Sequence, residues 1–88
     1  MEKTPFEQLK ELMSGIENYE LLPVDRRYLN DALEIASGEI MPGARKKALV
    51  VLYRGHLNNV AEKHSYYASN PDSKEFILKA TGLLKRID

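Results

Sequence analysis

Four stretches of the chain repeat apolar residues at the three- and four-residue spacing of a single helix face, with polar residues between them. A proline stands just ahead of each stretch, at Pro5, Pro23, Pro42 and Pro71. Proline fixes φ and lacks an N–H, so it suits a helix start or a connection and is poorly tolerated inside a helix. The pattern therefore predicts four helices separated by three connections.

The first predicted helix begins with a capping box, in which Thr4 and Glu7 satisfy backbone donors on either side of Pro5. It should end between residues 15 and 19. Its apolar face consists of Phe6, Leu9, Met13 and Ile16.

The second predicted helix has Asp25 as its N-cap and a hydrophobic staple between Val24 and Leu29. Gly38 is the predicted C′ residue, because glycine adopts positive φ without strain. The apolar half of this helix consists of Val24, Tyr28, Leu29, Ala32, Leu33 and Ala36.

The third predicted helix runs from about residue 44 to residue 64 or 67 and is apolar on several sides, which is typical of a central helix. Val51 and Leu52 lie outside its main stripe, and Gly55 is expected to permit close approach by a neighbour. We expect the main stripe to pack on the other three helices; it consists of Leu49, Tyr53, Leu57 and Val60.

The last predicted helix begins around Asn70 and Pro71, with Asp72 and Glu75 spaced as a second capping box. Leu78 projects almost opposite to the apolar stripe. That stripe consists of Phe76, Ile77, Ala80, Leu83, Leu84 and Ile87.

These elements predict an all-α fold, an antiparallel up-down four-helix bundle, because short connections place consecutive helices side by side in opposite directions. Residues 1–88 are long enough for one small core and hence one domain. The composition, 43% hydrophobic and 30% charged, is ordinary for a folded domain. Without cysteine, a signal-like start or an apolar run of spanning length, the chain is expected to be cytoplasmic, with the inner face of the membrane as a peripheral location.

The formal charge of zero hides an uneven distribution. Residues 1–42 carry −5, residues 43–67 carry +4, and residues 68–88 carry +1. One interpretation is that oppositely charged helices attract each other, and another is a partner-binding surface. Three cations, Arg45, Lys46 and Lys47, stand where the helix dipole favours anions, so an acidic group from the first helix or from a partner is expected nearby.

Candidate catalytic and metal-binding residues do not form a constellation in the sequence. His56 and His64 are eight residues apart, roughly 12 Å along a helix, so they cannot share a metal directly. His64 is interpreted as a packed histidine or a cation at a helix end. No serine stands in a nucleophile elbow and there is no glycine-rich phosphate loop. We therefore predict a protein that is not an enzyme and holds no cofactor or metal.

The candidate partner-binding residues are two adjacent aromatics at a joint together with exposed residues of the last helix, because tyrosine is enriched in interfaces. The alternative is that one of the two rings caps the bundle. A second, basic stripe lies along the third helix. The candidates are Tyr66, Tyr67, Leu78, Lys85 and Arg86, followed by Lys47, Arg54 and Asn58.

Leu29-x-x-Ala32, the joint Gly38-Glu39-x-x-Pro42 and the long helix after it resemble the immunity proteins of class IIa (pediocin-like) bacteriocins. The resemblance implies a small cytosolic four-helix bundle that protects a producing cell. Its implied partner is a sugar-transporter receptor of the mannose phosphotransferase system, recognised from the cytosolic side while bacteriocin is bound. It also implies that the C-terminal half, about residues 66–88, decides which toxin is countered.

The alternative hypothesis is a small phage or plasmid regulator that binds nucleic acid or a protein of the transcription machinery. The basic third segment favours it, because lysine and arginine gain from displacing counterions at phosphates. The neutral total charge disfavours nucleic acid without excluding it. The sequence leaves the partner, the oligomeric state and the source organism open.

Overall fold

The computed structural model describes residues 2–37 and 43–87, and every regular element among them is helical. The prediction of an all-α fold is confirmed. Within these two ranges, four long helices and one short helix follow each other, with a single 3₁₀ turn at Ile16–Asn18. The helices are α1 (Pro5–Met13), α2 (Pro23–Ala36), α3 (Gly43–Lys63), α4 (Ser65–Ala68) and α5 (Pro71–Arg86).

Helix α1 starts as its sequence predicts. The Thr4 side chain accepts the Glu7 N–H at 3.1 Å, and the Glu7 carboxylate accepts the Thr4 N–H at 3.4 Å. Pro5, Pro23 and Pro71 are the first residues of α1, α2 and α5. Gly38, the predicted C′ residue of the second helix, and Pro42, the proline ahead of the third helix, lie outside the described residues.

The predicted start of α2 is wrong. The helix begins at Pro23, and its N-cap Leu22 makes no side-chain hydrogen bond. Asp25 is therefore inside the first turn, where its side chain is buried and not available as a cap. Val24 is 54% exposed and so is not part of the predicted staple. Proline at the first position fixed the helix start three residues earlier than the carboxylate suggested, with Leu22 rather than Asp25 as the N-cap.

The predicted capping box at the start of α5 is also wrong. The N-cap is Asn70, which makes no side-chain cap, and Asp72 lies in the first turn of the helix. The Asn70 Nδ2 instead donates to the Tyr66 carbonyl at 2.8 Å. Its side chain therefore closes the α4–α5 connection.

Helix α3 ends at Lys63, earlier than the upper limit that its pattern suggested. His64 has extended backbone, with φ −78° and ψ 131°, and its Nδ1 accepts the Tyr66 N–H at 3.1 Å. This hydrogen bond caps α4 as a separate helix. His64 is exposed, so its interpretation as a packed residue is wrong. It directly follows the last residue of α3, and its interpretation as a cation at a helix end stays a prediction.

The buried face of α3 is rotated from the predicted stripe. Leu57 is fully buried, but Leu49, Tyr53 and Val60 are only half-buried, whereas Val50 and Ala61 are buried. The rotation follows from the packing partners, which are α2, α4 and chiefly α5 rather than α1. Val51 and Leu52 are 48% and 64% exposed, so α3 is not enclosed on all sides.

The core unites all four long helices and α4. Helix α1 packs against α5 and α2, while α3 packs against α5 and α2 from the other side. The predicted face of α5 is confirmed for Phe76, Ile77, Ala80 and Leu84, which are buried, whereas Leu83 and Ile87 are half-buried. The remaining buried apolar residues are Leu9, Met13, Leu21, Leu29, Ala32, Ala36, Val50, Leu57, Ala61 and Tyr67.

Candidate functional site

A groove of about 520 Å³ runs between α3 and α5, and we call it the α3–α5 groove. Each helix supplies one wall of the groove. Arg54 and Asn58 are four residues apart on α3 and so lie on one face of it. Leu78, Thr81 and Lys85 share a face of α5 by the same rule. The lining consists of Arg54, Gly55, Asn58, Leu78, Thr81, Gly82 and Lys85.

Two glycines keep the α3–α5 groove open. A Cβ added at Gly55 or Gly82 would meet nothing within 4 Å. The prediction that Gly55 permits close helix approach is therefore wrong, because no neighbouring side chain or backbone uses the space. The vacant volume instead belongs to the groove.

The charged residues that line the groove are cations. Among residues 2–37 and 43–87, its lining includes Arg54 and Lys85 and no acidic residue. A cavity of about 70 Å³ adjoins its end, shares Arg54 and Lys85, and adds Lys46 and Lys47. Among the described residues, 2–37 and 43–87, the ion pairs are Lys3 with Glu11 and Lys79 with Glu75. The four cations of the groove and the cavity therefore form no ion pair with a described carboxylate.

Four of the predicted partner-binding residues, two from each helix, are brought together in this groove: Arg54, Asn58, Leu78 and Lys85. Lys47 lies in the adjoining cavity. Leu78 is half-buried rather than fully outward, since its inner side packs on the core. The sequence grouped Arg54 with Asn58 by helical spacing, but only the packing of α3 on α5 placed Leu78 and Lys85 opposite them.

Arg86 and Tyr66 lie apart from the α3–α5 groove. Arg86 lines a second groove of about 580 Å³ between α1 and α5, with Leu12 and Leu83 among its neighbours. Tyr66 is half-buried, and its ring meets the edge of Tyr67 with centroids 5.1 Å apart. The predicted set of partner-binding residues therefore does not form a single surface.

Tyr67 is fully buried, so its prediction as a partner contact is wrong. Its hydroxyl donates to the Asp25 carboxylate and accepts the Leu22 N–H at 3.2 Å. Burial, followed by the hydrogen bond to Asp25, raises the pKa of Tyr67 well above its usual value of 10.0. The alternative, that one ring caps the bundle, describes this residue better, and no sequence signal paired it with a carboxylate 42 residues away.

Sequence reasoning also missed an aromatic cluster between α2 and α3. The His56 ring lies 4.3 Å from the Tyr28 ring, and Tyr53 meets the same tyrosine at 5.1 Å with interplanar angle 71°. His56 is exposed, and Leu52, one turn before it, is 64% exposed. The cluster joins two helices and leaves an apolar edge at the surface.

The remaining chemistry of the described residues is limited. Within residues 2–37 and 43–87, no group of three or more His, Cys, Asp or Glu residues could hold a metal ion. In the same part of the chain, no helix combines the length and the apolar character needed to cross a membrane. The α3–α5 groove, with its cations, amide and leucine, can bind an acidic surface by charge and by apolar contact.

Comparisons of the chain with family models, curated proteins and solved structures return no match.

Proposed function

We propose that this chain is a non-enzymatic binding protein that recognises an acidic segment of a protein partner in the α3–α5 groove. The proposal depends on one observation, that Arg54, Asn58, Leu78 and Lys85 line one groove in which the described part of the chain places no acidic residue. Charge complementarity steers association and fixes orientation, while the leucine in the lining supplies apolar contact.

The groove suits a partner helix or extended segment with one apolar side chain between acidic ones. Leu78 offers the apolar contact, and Arg54 and Lys85 offer charge from opposite walls. Arginine can bind a carboxylate with two parallel hydrogen bonds, and Asn58 supplies both a donor and an acceptor. Gly55 and Gly82 leave room for the partner backbone.

The biological role that we propose is bacteriocin immunity, exerted in the cytoplasm on a toxin-bound sugar-transporter receptor. The resemblance to the class IIa immunity proteins supports this role. We also propose the antiparallel four-helix bundle that the resemblance implies. Support for the bundle comes from the order of packing, since each long helix packs chiefly on two others, in the cycle α1, α2, α3, α5.

Challenge with pediocin-like peptides tests the proposed function. The chain is expressed in a bacteriocin-sensitive strain, and survival is measured across a panel of these peptides. We expect protection against at least one peptide, and we expect Arg54→Glu and Leu78→Asp to abolish it, because each places an acidic group in the groove. Purified variants should retain wild-type helical content by circular dichroism.

Arg45→Glu is the matched control. Arg45 lies nine residues before Arg54 on the same helix, about half a turn away around its axis, and is exposed outside the groove. This charge reversal should leave protection intact. If abundant, folded wild-type protein protects against no peptide, the immunity role is wrong; if Arg45→Glu is as damaging as Arg54→Glu, recognition does not occur in the groove.

Nucleic acid is the second candidate partner, favoured by the four cations that line the groove and its adjoining cavity. Phosphate contacts of this kind give an affinity that falls steeply with salt. Titration of duplex and single-stranded nucleic acid across salt concentrations distinguishes the candidates. Salt-dependent binding that Arg54→Glu removes would support a nucleic-acid partner, and absence of binding at low salt would exclude it.

A further inference from the structure

We infer that the cavity at the end of the α3–α5 groove is a binding site for a phosphate group. This inference deepens the proposed function, because the cavity adjoins the groove and shares Arg54 and Lys85 with it. Its own residues are Lys46 and Lys47. The site would take a phosphate-bearing ligand with a short apolar portion.

The first argument is the charge around a small space. Four cations surround a cavity of about 70 Å³, which is several times the ~10–15 Å³ that one ordered water needs. Lys46 and Arg54 are half-buried, whereas Lys47 and Lys85 are exposed. Like charges held together in this way repel one another, and a bound anion would remove that repulsion.

The second argument is the position on α3. Lys46 and Lys47 follow the start of a 21-residue helix whose first turn contains no acidic residue. The positive end of a helix dipole favours an anion, so side-chain cations there are unfavourable unless an anion is bound. The sequence predicted an acidic group from the first helix or from a partner, and α1 packs on α5 and α2. None of the described carboxylates forms an ion pair with these cations.

The third argument is the apolar remainder of the lining. Besides the four cations, the cavity is lined by Val50, Val51, Leu84 and Ile87. Val51 is 48% exposed. A phosphate group would contact the cations, while carbon atoms attached to it would contact these side chains.

Amide chemical shifts during titration with inorganic phosphate test the site, at constant ionic strength with chloride as the replacement salt. We expect saturable shifts confined to residues around 46–54 and 84–87. Lys46→Gln and Lys85→Gln together should weaken binding by at least about tenfold, since charge-assisted hydrogen bonds are lost. Lys85→Arg should retain binding, and Arg45→Gln, outside the cavity, should leave it unchanged.

Two vesicle compositions distinguish the sources of the phosphate group. Sedimentation with vesicles of phosphatidylglycerol, compared with phosphatidylcholine vesicles, reports binding to an anionic lipid headgroup. Saturable phosphate binding with no vesicle binding assigns the site to a dissolved phosphate compound, and binding to phosphatidylglycerol that the double variant removes assigns it to lipid. Equal shifts with chloride and phosphate, or phosphate shifts that the double variant leaves unchanged, would overturn the inference.

The variants also separate this inference from the proposed function. Asn58→Ala and Leu78→Asp alter the groove without touching the cavity lining, whereas Lys46→Gln alters only the cavity. If the groove variants lose protection and still bind phosphate, the result supports recognition in the groove and does not involve the cavity. Phosphate binding by a chain that protects against no peptide supports the site and contradicts the immunity role.

Discussion

At the scale of single residues, the buried pair of Tyr67 and Asp25 is the main polar feature of the core. Tyr67 is fully buried, Asp25 is 1% exposed, and their hydrogen bond joins α4 to the first turn of α2. The same hydroxyl accepts the Leu22 N–H. Removing it would leave a buried carboxylate and a backbone N–H without their partner.

Tyr67→Phe should therefore lower the free energy of unfolding by about 1–3 kcal/mol at neutral pH. Because burial raises the pKa of Tyr67, the unfolded chain loses this proton first. The stabilising contribution is then complete below the ordinary tyrosine value of 10.0 and declines as pH rises above it. Chemical denaturation at several pH values should show that the difference in free energy of unfolding between wild type and variant becomes smaller at alkaline pH.

Tyr66→Phe is the control for loss of a phenol at a neighbouring, half-buried position. At neutral pH, Tyr66→Phe should lower the free energy of unfolding by less than Tyr67→Phe does. If the difference in free energy of unfolding between wild type and Tyr67→Phe stays constant above pH 10.0, the assigned role of the hydroxyl is wrong.

At the scale of elements, α3 combines three different faces. One face enters the core through Leu57, a second carries Arg54 and Asn58 into the α3–α5 groove, and a third leaves Leu52 at the surface. The weak apolar periodicity of this helix follows from that division. Gly55, in its middle, packs against no neighbour.

Gly55→Ala should raise the free energy of unfolding by up to about 1 kcal/mol, because alanine is the better helix former and its methyl group meets open space. Thermal and chemical denaturation measure the gain. Gly82→Ala on α5 is the companion variant, with the same open surroundings. A loss of stability in either would show that the glycine is needed for packing. Protection that falls while stability rises would place the partner against this part of the groove.

At the scale of the whole molecule, stability depends on one core shared by all four long helices. Leu57 is 0% exposed at its centre. The half-buried neighbours Tyr53 and Val60 pack around that core rather than inside it. A truncation at the centre should therefore affect every helix together.

Leu57→Ala should lower the free energy of unfolding by about 2–5 kcal/mol, the usual range for a buried leucine. Leu52→Ala, on the same helix with 64% exposure, should change it by less than about 0.5 kcal/mol. Chemical denaturation of both variants provides the measurement. A loss below ~1 kcal/mol for Leu57→Ala would contradict its central position.

Local chemistry made part of the fold predictable. Thr4 and Glu7 cap α1 through contacts between residues three apart, and the apolar spacing of α5 selected Phe76, Ile77, Ala80 and Leu84 correctly. Proline positions also indicated three helix starts, since Pro5, Pro23 and Pro71 are the first residues of their helices. The errors at Asp25 and Asp72 arose because a carboxylate near a helix start can cap it or lie in its first turn, and backbone geometry decides between the two.

By itself the sequence determined the helical fold class, the approximate helix boundaries and the uneven charge, because these depend on neighbouring residues and on composition. Only the tertiary structure decided which face of α3 is buried, why Tyr67 belongs to the core, and how Arg54 and Asn58 meet Leu78 and Lys85. The physical reason is the same in each case. Burial, hydrogen bonds across 42 residues and the walls of a groove are set by the packing of one helix on another.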